Sequence, residues 1–190
     1  MHATLFLSDF ADEAVILPQV VAIAAALMAG RNWRALGAWA AAAVGVLGGM
    51  LLLKLGFYHY DWNALVPAQT GIDLANPSGH VAAASVTYGA VATLLLARRG
   101  ATIAVAIGAA LLTSVVIGAT RVRLGEHTVP DVVAGAVIGV AGAVVFALLA
   151  RRHLPARTGF AVLPGLGLAA LLFHGQHLPA ESLIRAVAAW

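Results

Sequence analysis

Residues 101–150 read ATIAVAIGAALLTSVVIGATRVRLGEHTVPDVVAGAVIGVAGAVVFALLA. Its two apolar runs, Ala101 to Ala119 and Val132 to Ala150, each suffice for a helix crossing the hydrocarbon core of a bilayer, which takes about 20 residues. Between them, Thr120 to Asp131 gathers Arg121, Arg123, Glu126, His127 and Asp131 in a chain that is only 10% charged. Polar groups are costly to hold beside lipid and at such places usually have a function.

Further apolar runs lie outward from this stretch. Ala14 to Gly30, Leu36 to Phe57 and Val81 to Ala97 precede it, and Phe160 to Phe173, shorter and interrupted by Pro164, follows it. Hydrophobic residues make up 62% of the 190, too many for a soluble domain, and no strand alternation or repeated ten-residue pattern suggests a membrane barrel. The expected fold is all-α: a polytopic six-transmembrane-helix bundle forming a single integral membrane domain over residues 1–190. Residues 1–13, with Asp9, Asp12 and Glu13, read as a short acidic lead without the basic start of a signal peptide. Tyr58, Tyr60 and Trp62 read as interfacial anchors, and residues 179–190 as an amphipathic tail at the interface. Gly135 and Gly139 have the small-xxx-small spacing that lets helices approach closely. Cysteine is absent, which excludes disulfides and thiolate chemistry.

Charge distribution orients the bundle. If all six runs span, Arg31, Arg34, Arg98, Arg99, Arg151, Arg152 and Arg157 share one side, cytoplasmic by the positive-inside rule. Lys54, Arg121, Arg123, Arg185 and all eight acidic residues fall opposite, as do both termini. The net charge of +3 therefore reports topology, and no clustered basic face points to nucleic acid.

The same topology gathers Lys54, Pro77-Ser78-Gly79-His80, Arg121, His127 and Asp131 at one membrane depth. Cations with a helix start, whose free N–H groups and dipole favour negative charge, suit an anionic group such as phosphate. Each member also has an ordinary reading. Asn76 or Ser78 could simply cap a helix, and Lys54 and Arg121 could be snorkelling residues. Thr128-Val129-Pro130-Asp131 matches a capping box with Pro at the first helical position, while Asp131 could equally orient one ring nitrogen of His127. A carboxylate has two oxygens, so these last two roles can coexist.

The order Lys54, then Pro77-Ser78-Gly79-His80, then Arg121, His127 and Asp131 resembles the three-part signature of the type 2 phosphatidic acid phosphatase family, which also includes acid phosphatases and haloperoxidases. Its second part is Pro-Ser-Gly-His; its third is Ser-Arg, five residues, His, three residues, Asp, with Thr120 here in the Ser position. The resemblance covers roughly residues 54 to 140. It departs in the first part, where Lys, six residues, Arg-Pro is expected but Asp61-Trp62 stands, so one phosphate-binding Arg is missing. Arg123, two residues from Arg121, is the expected substitute.

The resemblance implies a phosphatase in which His127 attacks phosphorus to form a phosphohistidine and Asp131 orients His127. His80 would protonate the leaving oxygen and then activate water. Lys54, Ser78, Gly79, Arg121 and, by our extension, Arg123 would hold the phosphoryl oxygens. His127 must start neutral and His80 charged, which gives a bell-shaped pH dependence. No cofactor is expected, and the surrounding cations disfavour a metal dication. The implied substrate is a membrane lipid phosphate or pyrophosphate, of phosphatidic acid, phosphatidylglycerol phosphate or polyprenyl type. It would be hydrolysed at the extracytoplasmic face of a membrane expected to be bacterial and inner. A phosphotransferase using the same intermediate, or a transporter, are the alternatives; the transporter is disfavoured because no ionisable chain lies at mid-membrane.

Overall fold

In a computed structural model, which describes residues 2–60, 76–96, 102–154 and 158–190, the described residues form eight α-helices. They are α1 (His2–Asp9), α2 (Glu13–Ala29), α3 (Trp33–Tyr60), α4 (Gly79–Leu96), α5 (Thr102–Arg123), α6 (Val129–Ala150), α7 (Thr158–Phe173) and α8 (Ala180–Ala188). Trp62 and the Asp61-Trp62 position, together with Arg98, Arg99 and Arg157 of the basic pattern, lie outside the described residues.

Among the described residues, five stretches are long and apolar enough to cross a membrane: α1 with α2, then α3, α4, α5 and α6. The chain is a polytopic helical membrane protein. The weakest apolar run forms α7, whose 16 residues extend about 24 Å against a hydrocarbon core of about 30 Å. Near one end of α7, Val162 shares a buried cluster with Leu27, Trp39 and Phe146. Just past its other end, His174 contacts the rings of Phe6 and Phe10, and His177 reaches Asp12. In between, Gly165 lies against Ala22. Thus α7 runs antiparallel to α2 between the two ends of the bundle.

Several helices extend beyond the apolar runs. The acidic lead is itself helical as α1, packed against α5, and α2 starts only after Asp12, whose Oδ1 accepts the Ala14 N–H at 2.9 Å as an N-cap. At its other end α2 stops in a Schellman turn: Asn32 N–H bonds Leu27 O and Arg31 N–H bonds Met28 O, with Arg31 at φ 52°. Helix α5 continues through Arg123, four residues past its apolar run, and ends in a second Schellman turn around Gly125 at φ 73°. Helix α6 begins with the expected capping box: Thr128 Oγ1 accepts the Asp131 N–H and Asp131 Oδ2 accepts the Thr128 N–H.

At the centre stands α4, with Val81, Ala82, Ala84, Val86 and Ala90 wholly buried. Bilayer lipid is as apolar as leucine, so helix association relies on close approach and on satisfied polar groups. Gly135 and Gly139 of α6 bring the backbone of α4 and its lead-in within contact, as their spacing predicts; a Cβ on either would sit under 3.0 Å from the Ser78 or Ala82 carbonyl. Some buried hydroxyls find nearby partners, with Ser85 and Ser114 paired at 2.7 Å and Thr93 donating to the Gly89 carbonyl. Trp39 anchors the other end, edge-on to Phe146 and donating to the Val20 carbonyl at 3.0 Å. The outer surface carries Leu112, Val115, Val137 and Leu171, which are exposed as lipid-facing residues should be.

Candidate active site

The starts of α2, α4 and α6 and the ends of α3, α5 and α7 converge at one end of the bundle. There they enclose a cavity of about 460 Å³ lined by Lys54, Gly79, His80, Arg121, His127 and Asp131. These are six of the eight residues expected from the sequence.

Lys54, near the end of α3, is buried; its Nζ lies 2.6 Å from Glu181 Oε2 and 3.4 Å from Asn76 Oδ1, and its Cε lies against Gly79. It is therefore not a snorkelling residue. Arg121, also buried, donates from one terminal nitrogen to Ser8 Oγ at 3.0 Å and from the other to Glu126. Its Nε has no hydrogen-bond partner among the described residues, a costly state for a buried donor and an apt one for an anion-binding group.

Asp131 caps α6 as expected and also lies beside His127. Its Oδ2 takes the Thr128 N–H at 2.9 Å in the capping box and lies 3.5 Å from His127 Nδ1, too long for a hydrogen bond but close enough to orient the ring. Its Oδ1 takes the Asn76 N–H at 2.8 Å, and its carbonyl takes the Ser78 N–H at 3.0 Å. One residue thus fastens the start of α6 to the lead-in of α4 and faces the histidine. Nδ1 is the ring nitrogen of His127 turned to the carboxylate. Burial holds the His127 pKa below its ordinary value, and the charges of Lys54 and Arg121 push the same way against the opposing pull of Asp131, so the neutral ring is favoured.

Two expected residues stand elsewhere. Ser78 is fully buried behind the cavity, its backbone against Gly135 and its Oγ without a hydrogen-bond partner among the described residues. Arg123 is exposed and does not line the cavity. The cause is helical geometry: because α5 continues past Ala119, residues i and i+2 point to nearly opposite sides, and Arg121 faces inward.

The structure also adds residues that sequence reading did not assign to the site. Asp9, Asp12, Glu13, Glu126, His177, Glu181 and Arg185 line the same cavity. The five acidic ones share a signal legible in the sequence: every acidic residue falls on one side of the expected topology. Each basic group has a carboxylate beside it. His80 Nε2 is 3.8 Å from Asp12 and 3.6 Å from Glu13, Lys54 meets Glu181, and Arg121 meets Glu126. Burial pushes the Glu181 carboxyl up, but hydrogen bonds from Lys54 and Tyr58 and the charges of Lys54 and Arg185 outweigh it and hold it below the usual carboxylate range. Helix α8, expected as an interfacial strip, therefore folds over the cavity mouth through Glu181, with Arg185 4.9 Å above the Tyr58 ring.

Asp12, Glu13 and His80 bring ligand atoms within 4.8 Å of one another, a spacing that a divalent ion could use. The Asp12 oxygens, however, already accept the Ala14 and Leu178 N–H groups and face His177 Nδ1 at 3.0 Å.

A family model for the PAP2 superfamily matches residues 52–155, more than half of the chain. The chain belongs to the PAP2 superfamily. Membership carries phosphatase-type activity on phosphate esters. No curated protein and no solved structure matches the chain. The matched segment of this PAP2 chain runs from the end of α3 through α6 and holds every expected catalytic residue. Asp9, Asp12, Glu13, His177, Glu181 and Arg185 lie outside it, on either side.

Proposed function

We propose that this PAP2 protein hydrolyses a membrane lipid phosphate or pyrophosphate at the extracytoplasmic interface through a phosphohistidine. The observation that carries the reading is the convergence of His127, His80, Asp131, Lys54 and Arg121 from four helices on one cavity. Neutral His127, oriented by Asp131, attacks phosphorus through Nε2, forming an N–P bond as the ester O–P bond breaks. His80 gives its proton to the departing oxygen and then takes one from the water that cleaves the N–P bond, releasing inorganic phosphate. Lys54, the Arg121 guanidinium and the N–H groups at the start of α4 hold the equatorial oxygens, and the fold has already fixed these donors before reaction begins. Carboxylate, imidazole and guanidinium groups suffice for this chemistry, so the proposed reaction needs no metal.

The lipid assignment is supported by the cavity's place at the end of a bundle whose outer surface is apolar and by the lack of any large domain above it among the described residues. The extracytoplasmic placement rests on Arg31, Arg34, Arg151 and Arg152 at the other end, where Asn32 bonds the His153 carbonyl at 2.6 Å. The test is release of inorganic phosphate from a panel of lipid monophosphates and pyrophosphates by the purified protein and by His127→Ala. Wild type should release phosphate and the variant should not; undiminished release by His127→Ala defeats the mechanism.

A further inference from the structure

The two strongest cations of the cavity are each held by a glutamate outside the catalytic signature. Glu181 reaches Lys54 from α8, and Glu126 reaches Arg121 from the turn after α5. Both contacts are built into local structure. Gly125, in the left-handed region, lets Glu126 fold back toward its own helix, and the Glu126 N–H bonds the Arg121 carbonyl. Tyr58 donates to Glu181, and His59 Nδ1 meets the Ala188 carbonyl at 3.1 Å, which fixes α8 along the end of α3. Yet the glutamate side chains stay about half exposed, at 42% and 49%, whereas those of Lys54 and Arg121 are only 5% and 9% exposed. The carboxylates can therefore swing into water while the cations stay in place.

Charge decides what can replace them. Among the described residues, six acidic side chains line this cavity against three Lys or Arg, so any incoming anion meets a repulsive surround. A terminal phosphoryl group carries about −1.5 to −2 charges at neutral pH, and one such group can take both cations from two monoanionic glutamates without leaving a buried charge unpaired. A phosphodiester headgroup carries one negative charge. It would leave either Lys54 or Arg121 uncompensated or remain beside a glutamate it repels.

We infer that Glu126 and Glu181 are specificity-determining residues: internal counter-anions that admit terminal phosphoryl groups and exclude the monoanionic phosphodiester headgroups of the surrounding bilayer. The inference rests on the phosphatase reading for the identity of the substrate, but not for the identity of the two gates.

The experiment uses the full chain in detergent with a dioctanoyl phosphatidic acid as monoester and dioctanoyl phosphatidylglycerol as diester. In wild type the diester should inhibit phosphate release weakly. In Glu126→Gln, Glu181→Gln and the double variant its Ki should fall, by about tenfold or more in the double variant, given that like-charge juxtaposition at an interface costs several kcal/mol. The monoester KM should also fall while kcat does not rise. Glu181→Asp, which keeps the charge, should keep the discrimination. Kd values for both lipids on a His127→Ala background give the same comparison without turnover. Absence of phosphate release by wild type would thus count against the phosphatase reading alone. Diester Ki and Kd values that stay at the wild-type level in the double variant, with its thermal midpoint retained, would overturn the gating role. Should that variant unfold, unchanged diester binding in both single variants would do so.

Discussion

Gly135→Ala tests how closely the two catalytic helix starts are locked together. Gly135 lies one turn past Asp131 on α6, and a Cβ there would stand 2.5 Å from the Ser78 carbonyl oxygen and 3.2 Å from the Ser78 nitrogen. Ordinary contact begins at 3.4 Å, so one helix start must retreat by about 0.9 Å from the other. Backbone atoms cannot rotate aside as a side chain can. The retreat stretches the hydrogen bonds from Ser78 N–H and Asn76 N–H to Asp131, now 3.0 and 2.8 Å, beyond bonding range. It also carries His80 away from His127. A displacement of about 1 Å costs about 100-fold in rate, or roughly 2.7 kcal/mol of barrier, alongside an overpacking cost of about 1–3 kcal/mol in stability. The assay is kcat/KM for phosphate release at a temperature well below the thermal midpoint of both proteins, with Gly48→Ala as control because a Cβ there meets nothing within 4 Å. The expected result is a fall in kcat/KM of about two orders of magnitude for Gly135→Ala and none for the control. A folded Gly135→Ala variant with the wild-type kcat/KM would refute the reasoning.

Two further predictions concern charge and backbone. Because burial and the charges of Lys54 and Arg121 hold the His127 pKa down, the acid limb of kcat/KM should lie below the ordinary histidine value of 6.5, with activity lost as pH falls through it. Lys54→Met should move that limb to higher pH, and a limb at or above 6.5 in wild type, or one unmoved in the variant, would contradict the assignment. Arg31 occupies the left-handed position that ends α2, where a side chain costs about 1 kcal/mol or slightly more. Arg31→Gly should raise the unfolding free energy by about 1 kcal/mol, read by reversible denaturation, and a loss of stability would show that the Arg31 side chain makes compensating contacts.

Much of the bundle was legible because a bilayer permits few solutions. Uncapped or unpaired backbone is intolerable in lipid, so apolar length and polar interruption place the helices, and the spacing of Gly135 and Gly139 gives the face of α6 that meets α4. The Thr128 to Asp131 capping box was equally readable, being a local hydrogen-bond pattern. What escaped the sequence depended on where helices end and on what folds over them. Ending α5 at Ala119 left Arg123 free to be imagined beside Arg121; continuing it to Arg123 turns the second arginine away. Glu181 lies over a hundred residues from Lys54, and no periodicity in an amphipathic tail says which carboxylate will find which cation. The acidic lead reads as acidic but not as helical, since Asp9, Asp12 and Glu13 acquire their place only when α1 docks on α5.

In the proposed mechanism, Asp131 ties catalysis to the integrity of the chain. The side chain that lies beside His127 caps α6 through Oδ2 and holds Asn76 through Oδ1, so a substitution there harms the molecule whether or not its activity is wanted. His127 carries no such burden: among the described residues its ring neither caps a helix nor ties two helix starts together, and its contact with Asp131 is 3.5 Å long. A descendant freed from selection for turnover would therefore shed the histidine early and keep the aspartate. In a damaged lineage, the surviving half of the pair would record what the fold needs, and the vanished half what the chemistry needed.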